Sequence, residues 1–142
     1  MKILKKISFA TLAMALVAGA SFAWSQRIRD LPPPARGVKL PALSPMALSG
    51  QRAYDATCAK CHGTYGVGTD KGPSFLNTIY NPGHHPDEAF SRAVRNGVRQ
   101  HHWRFGDMPA QPAVSEEEIK QIVRYVREVQ QANGIVYSEH QM

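Results

Sequence analysis

The only two cysteines in the 142-residue chain, Cys58 and Cys61, stand three positions apart and are followed at once by His62. A framework of several disulfides, which staples many small exported domains, is thereby excluded. The compact part that the sequence predicts, residues 47–133, is too short to be held firmly by side-chain burial alone. Something other than disulfides has to complete its core.

The chain opens with Lys2, Lys5 and Lys6, followed by a mostly apolar run over 7–18 and the small-residue string 19–23. This is the layout of a secretory signal over residues 1–23. Ser21 and Ala23 meet the small-residue requirement ahead of a cut, so cleavage is expected after Ala23 and the destination is expected to be the periplasm. The alternative is an uncleaved membrane anchor, because apolar character persists from Ile7 to Trp24. Without those three lysines the formal charge of +6 falls to +3, too mild to argue for nucleic-acid binding by phosphate neutralisation. Residues 24–46 carry Pro32, Pro33, Pro34, Pro41 and Pro45 with no helical periodicity and are read as an extended tail. Residues 134–142 are read as a second, C-terminal tail.

Between the tails three helices are expected, and the absence of strand-like alternation makes the domain all-α. The first runs from about Ser49 into Cys58 and places Gly50, Tyr54 and Cys58 on one face. The second starts at Pro86, has Asp87 and Glu88 in its first turn, and stops at Asn96 and Gly97. Ala89, Phe90, Ala93 and Val94 are its apolar stripe. The third opens on a capping box, Ser115 with Glu118, and closes at Asn133 and Gly134. Its apolar side is Ile119, Ile122, Val123, Val126 and Val129, with Tyr125 beside them.

The chemistry is concentrated in the run Cys58, Ala59, Lys60, Cys61, His62. Two thiols three apart at a helix end face the same way, so both can add across the vinyl groups of one haem while the next imidazole turns onto the iron. A structural zinc site would need a second ligand pair at metal spacing, and no second cysteine pair exists. A thioredoxin-like redox pair would need a βαβ context, which the pattern does not offer. One covalent haem c is therefore the expected cofactor, and it supplies the missing core.

Over about 47–133 the chain resembles the monohaem class I c-type cytochromes. Gly50, Tyr54 and Cys58 reproduce that family's glycine, aromatic and cysteine spacing on its first helix, and Ile122 with Tyr125 reproduces the aliphatic and aromatic pair of its last. The resemblance implies a small cytochrome c fold in which the N- and C-terminal helices cross closely and loops wrap one covalent haem. It also implies that the carbonyl of Pro73, after Gly72, accepts the remaining N–H of the ligand histidine.

For the second axial ligand, cleavage after Ala23 leaves Met46, Met108 and Met142. Met142 is terminal and Met46 lies in the proline-rich stretch, whereas Met108 sits in a Gly-Asp-Met-Pro turn ahead of the last helix. Met108 is selected, in agreement with the resemblance, with His84, His85, His101 and His102 as competitors. Trp103, flanked by Arg99 and Arg104, is either a donor to a haem propionate or an aromatic packed on the haem. The histidine doublets are read as loop surface.

With His62 and Met108 on the metal, no position remains for oxygen, peroxide or substrate, so the expected function is one-electron transfer rather than catalysis. Redox proteins are the expected partners: a dehydrogenase or quinol-oxidising complex as donor, an oxidase or reductase as acceptor. Lys60, Lys71, Arg92, Arg95, Arg99 and Arg104 near the haem would suit an acidic docking face. Two other readings stay open: a haem subunit of an oxidoreductase complex, and a haem enzyme with an open distal side.

Overall fold

The computed structural model describes residues 37–139; the expected leader, residues 24–36 of the proline-rich stretch, and Met142 lie outside the described residues. Ser44 caps the first helix by accepting a hydrogen bond from the Ala47 N–H at 3.2 Å, and Pro45 takes the first helical position, where its missing N–H costs nothing. Helix α1 therefore spans Pro45–Thr57 and starts ahead of the expected Ser49. The Ser44-Pro45 pair, part of the proline-rich stretch by composition, is a helix start. The backbone shifts at Cys58, and a single further turn, α2, spans Ala59–His62 before Gly63 ends it at φ 73°.

Helix α3 spans Asp87–Asn96 and α4 spans Glu116–Ala132. The capping box at Ser115 and Glu118 is present in α4, and the acidic first turns of both helices face their positive ends. Of the expected apolar side of α4, Ile119, Ile122, Val123, Tyr125, Val126 and Val129 are all buried. In α3 only Val94 is fully buried. Phe90 and Ala93 are half-buried and border a cleft, with Phe90 also packed against the edge of the core. Among the described residues there is no strand, only an isolated antiparallel bridge between Val98 and Met108, so the domain is all-α.

The core is built where α4 lies across α1, with Ala47, Tyr54, Ile122, Tyr125, Val126 and Val129 in one cluster. Tyr54 and Tyr125 bring their rings to 5.2 Å between centroids. Residues 37–44, assigned by sequence to the extended tail, run along α4. Lys39 exchanges backbone hydrogen bonds with the Asn133 side chain at 2.9 and 2.8 Å, and the Ser44 N–H and hydroxyl donate to Glu128 at 2.9 and 2.7 Å.

A buried polar residue organises the long connection between α2 and α3. Gln130, 1 % exposed, donates to the carbonyls of Phe75 at 2.8 Å and Tyr80 at 3.1 Å. Its own carbonyl accepts from Arg127 at 2.7 Å, and Arg127 also donates to the Tyr80 and His85 carbonyls and to Asp87. Two neighbouring side chains of α4 thus fix the loop over 75–85 with bonds that would be costly to leave unmade. Among the described residues no helix is long and apolar enough to cross a membrane.

Candidate haem site

The turn that carries the two thiols is pinned from three sides. The Cys58 N–H donates to the Tyr54 carbonyl at 2.7 Å and the His62 N–H to the Cys58 carbonyl at 2.9 Å, so Cys58, Cys61 and His62 share one rigid helical corner. Thr69 caps the same corner by donating its hydroxyl to the Cys61 carbonyl at 2.6 Å. Gly72 passes so close that a Cβ there would lie 2.9 Å from that carbonyl oxygen. Only glycine allows the loop to fold back at this distance.

His62 is buried, and its ring is stacked on Phe75 with centroids 4.3 Å apart. Its Nδ1 lies 3.0 Å from the Pro73 carbonyl. A carbonyl only accepts, so Nδ1 carries the proton and Nε2 holds the lone pair. Burial lowers the pKa of this imidazole, with the Pro73 hydrogen bond opposing more weakly, which keeps the ring neutral and fit to ligate. Burial likewise pushes the Cys58 thiol up to about 11. It is held as a thiol until it reacts.

Met108 lies on the loop between α3 and α4. Its N–H and carbonyl exchange bonds of 2.9 Å with Val98, and Gly97, at φ 73°, lets the chain pass within 2.5 Å (Cβ to Met108 carbonyl oxygen) of a position no side chain can fill. Cys58, His62 and Met108 all line a cleft that encloses about 930 Å³ with its open mouth. An adjoining lobe adds Cys61 and Lys71. Phe75, Phe90, Val94 and Val126 give the main cleft apolar walls.

The four residues expected from sequence to hold the haem thus border one space. Two thiols, a neutral imidazole, a thioether and apolar walls fit a haem c: Cys58 and Cys61 would carry it, with His62 and Met108 toward the iron.

Other expectations meet different outcomes. The Trp103 indole N–H donates to the Tyr80 hydroxyl at 3.0 Å across the cleft rather than standing open for a propionate. Arg95 is engaged by Glu116 through two of its guanidinium nitrogens, Nε and Nη2, while Lys60, Arg92, Arg99 and Arg104 are exposed. His101 and His102 are exposed as expected for loop surface, but His84 and His85 are half-buried, and His85, His101 and His102 border the cleft. Arg127 and Gln130 were not expected to matter. The spacing of Gln130 from Val123 and Val126 did mark it for the buried face, against its polarity.

No curated protein matches the chain as a relative. A family model described as cytochrome c oxidase, cbb3-type, subunit III matches residues 45–126, more than half of the chain, and takes in α1, the cysteine and histidine corner, Met108 and most of α4. The chain belongs to this family and carries a c-type cytochrome domain, an electron-transfer module built for haem c.

Proposed function

We propose that the chain is a periplasmic one-electron carrier that holds a single haem c, with His62 and Met108 as the axial ligands. The observation that carries the reading is that a buried imidazole and a backbone-pinned methionine border, together with both thiols, the lobe that adjoins the apolar cleft. When bound, haem c supplies an iron centre that exchanges single electrons. The Pro73 carbonyl orients His62 and raises its basicity, and the Val98 bridge holds Met108 in place. Phe75, Phe90 and Val126 exclude water, which favours the less charged, reduced state. If His62 and Met108 both hold the iron, no open position would remain for a substrate, and the haem would supply electron transfer rather than catalysis. Exposed Lys60, Arg92, Arg99 and Arg104 suit brief docking to acidic faces of a donor dehydrogenase or quinol-oxidising complex and of an acceptor oxidase or reductase.

The family's description supports a second reading, a haem c subunit resident in an oxidase or another redox complex. Co-purification with an integral-membrane oxidase favours it. Release of the mature chain, cut after Ala23, in the periplasmic fraction favours the mobile carrier.

The ligand set is tested by Met108→Ala. The haem stays attached through acidified acetone, the far-red ferric band of methionine ligation disappears, the midpoint potential falls and the ferrous form binds carbon monoxide. An unchanged spectrum and potential would remove Met108 from the iron.

A further inference from the structure

Three histidines from two loops meet beside the cleft. His84 and His85 lie just ahead of α3, and His102 lies on the loop between α3 and Met108. Each offers one ring nitrogen, and the three atoms lie within 4.8 Å of one another. The Nε2 atoms of His84 and His102 are 3.4 Å apart. Two imidazole nitrogens on one tetrahedral zinc ion, each ~2.0–2.1 Å from the metal, stand about 3.4 Å from each other. This pair already has the spacing of two ligands on one ion.

His85 is prepared by its other nitrogen. Its Nδ1 donates to the Ile79 carbonyl at 2.7 Å, which leaves Nε2 as the lone-pair atom. A carbonyl on the far nitrogen is the usual partner that fixes the tautomer and tilt of a metal-bound imidazole. The backbone beneath is fixed as well, because Arg127 donates to the carbonyls of His85 and Tyr80. The His101 ring packs 4.2 Å from that of His102, but its Nδ1 is turned to the Arg99 carbonyl at 2.9 Å and it is not one of the three whose ring nitrogens converge. An all-imidazole donor set selects borderline cations such as Zn²⁺ and Cu²⁺ over oxygen-seeking Mg²⁺ and Ca²⁺.

We propose that His84, His85 and His102 bind a divalent transition-metal ion of the zinc or copper kind, with water completing the coordination. The site rests on the reading that Met108, and none of these imidazoles, completes the iron's ligand set. A bound ion would staple together the two loops that border the cleft.

The experiment uses the untagged, haem-loaded full chain titrated with ZnCl₂ in a calorimeter while the visible spectrum is followed. One equivalent binds, and Tm rises with zinc. His85→Gln and His102→Gln each weaken binding by about tenfold or more, while His101→Gln changes it little. A single equivalent of Cu²⁺ gives an EPR signal coupled to several imidazole nitrogens, a readout that needs no variant. Zinc binding that is absent, or equally weakened by His101→Gln and His102→Gln, overturns the site. So does Cu²⁺ coupling to fewer than two nitrogens. A shifted haem spectrum in His85→Gln or His102→Gln would place that imidazole on iron and overturn both the metal site and the Met108 assignment. An unchanged spectrum with no zinc binding overturns the metal site alone.

Discussion

Gly50 faces the backbone of Gln121 so closely that a Cβ at residue 50 would lie 1.9 Å from the Gln121 carbonyl oxygen and 2.9 Å from the Ile122 nitrogen. Both neighbours are main chain, so neither can rotate away. In an exposed helix Gly→Ala gains about 1 kcal/mol of propensity, but here α1 and α4 must separate to admit the methyl. Gly50→Ala is expected to destabilise the haem-loaded protein by about 2–3 kcal/mol in denaturant unfolding, net of that gain. Stabilisation would mean that the helices do not cross at this residue.

The two tyrosines beside that crossing differ in what their hydroxyls do. Tyr54 donates to the Gly63 carbonyl at 2.9 Å and so ties α1 to the loop that follows His62. The Tyr125 hydroxyl is buried with no hydrogen-bond partner among the described residues. Tyr54→Phe is expected to cost about 1 kcal/mol, since it removes one of the two hydrogen bonds that the buried Gly63 carbonyl accepts, the Gly66 N–H keeping the other. Tyr125→Phe removes an unsatisfied group and is expected to be neutral or to stabilise by about 1 kcal/mol. Equal losses in the two variants would show that Tyr125 has a partner after all.

Glu128 links residues 37–44 to α4 and makes that link sensitive to acid. Burial alone would raise its carboxyl, but the Ser44 N–H and hydroxyl and the Arg124 guanidinium outweigh burial and hold it below its ordinary value of 4.5. A lowered carboxyl contributes stability that is complete above 4.5 and is lost as pH falls through the folded value. Glu128→Gln is therefore expected to be less stable than the parent by about 1–2 kcal/mol at pH 7, allowing for its solvent-facing edge. The gap should close as thermal unfolding is followed from pH 5 toward pH 3. A gap that stayed constant would place the effect outside the carboxylate's charge.

What was legible in the sequence were the features with local cause. The Ser115 and Glu118 capping box, the stripe from Ile119 to Val129 and the Asn96 and Gly97 stop each need only neighbours in the chain, and each is where it was expected. The start of α1 was masked because Pro45 belongs by composition to the proline-rich stretch, although Ser44 before it is a cap. Contacts made across the chain were not legible. Arg127 looks like a solvent-facing helix residue, and Gln130 lies on the apolar face without a visible partner, until the loop over 75–85 is laid against them, and the Trp103 to Tyr80 bond joins positions whose nearness no local pattern records. The meeting of His102 with His84 is of the same kind. Each doublet alone looks like surface.

Gly97 and Gly134 allow backbone strain to be separated from the positioning of Met108. Both have positive φ, 73° and 80°, so alanine is strained at either position, and at Gly97 the ψ of −178° falls in a region kept almost entirely for glycine, at a cost of about 1–3 kcal/mol. They differ in what a methyl would meet. At Gly134 there is nothing within 4 Å, whereas at Gly97 the Met108 carbonyl oxygen is 2.5 Å away and the Ala110 nitrogen 3.0 Å. Gly97→Ala must therefore displace the very turn that presents Met108, while Gly134→Ala leaves it alone. With Met108 on the iron, Gly97→Ala is expected to weaken the far-red methionine band and lower the midpoint potential with the haem still attached. Gly134→Ala should lose only the strain energy in unfolding, with spectrum and potential unchanged. If both variants lose stability alike and neither moves the potential, the close approach at Gly97 supports the fold without positioning a ligand.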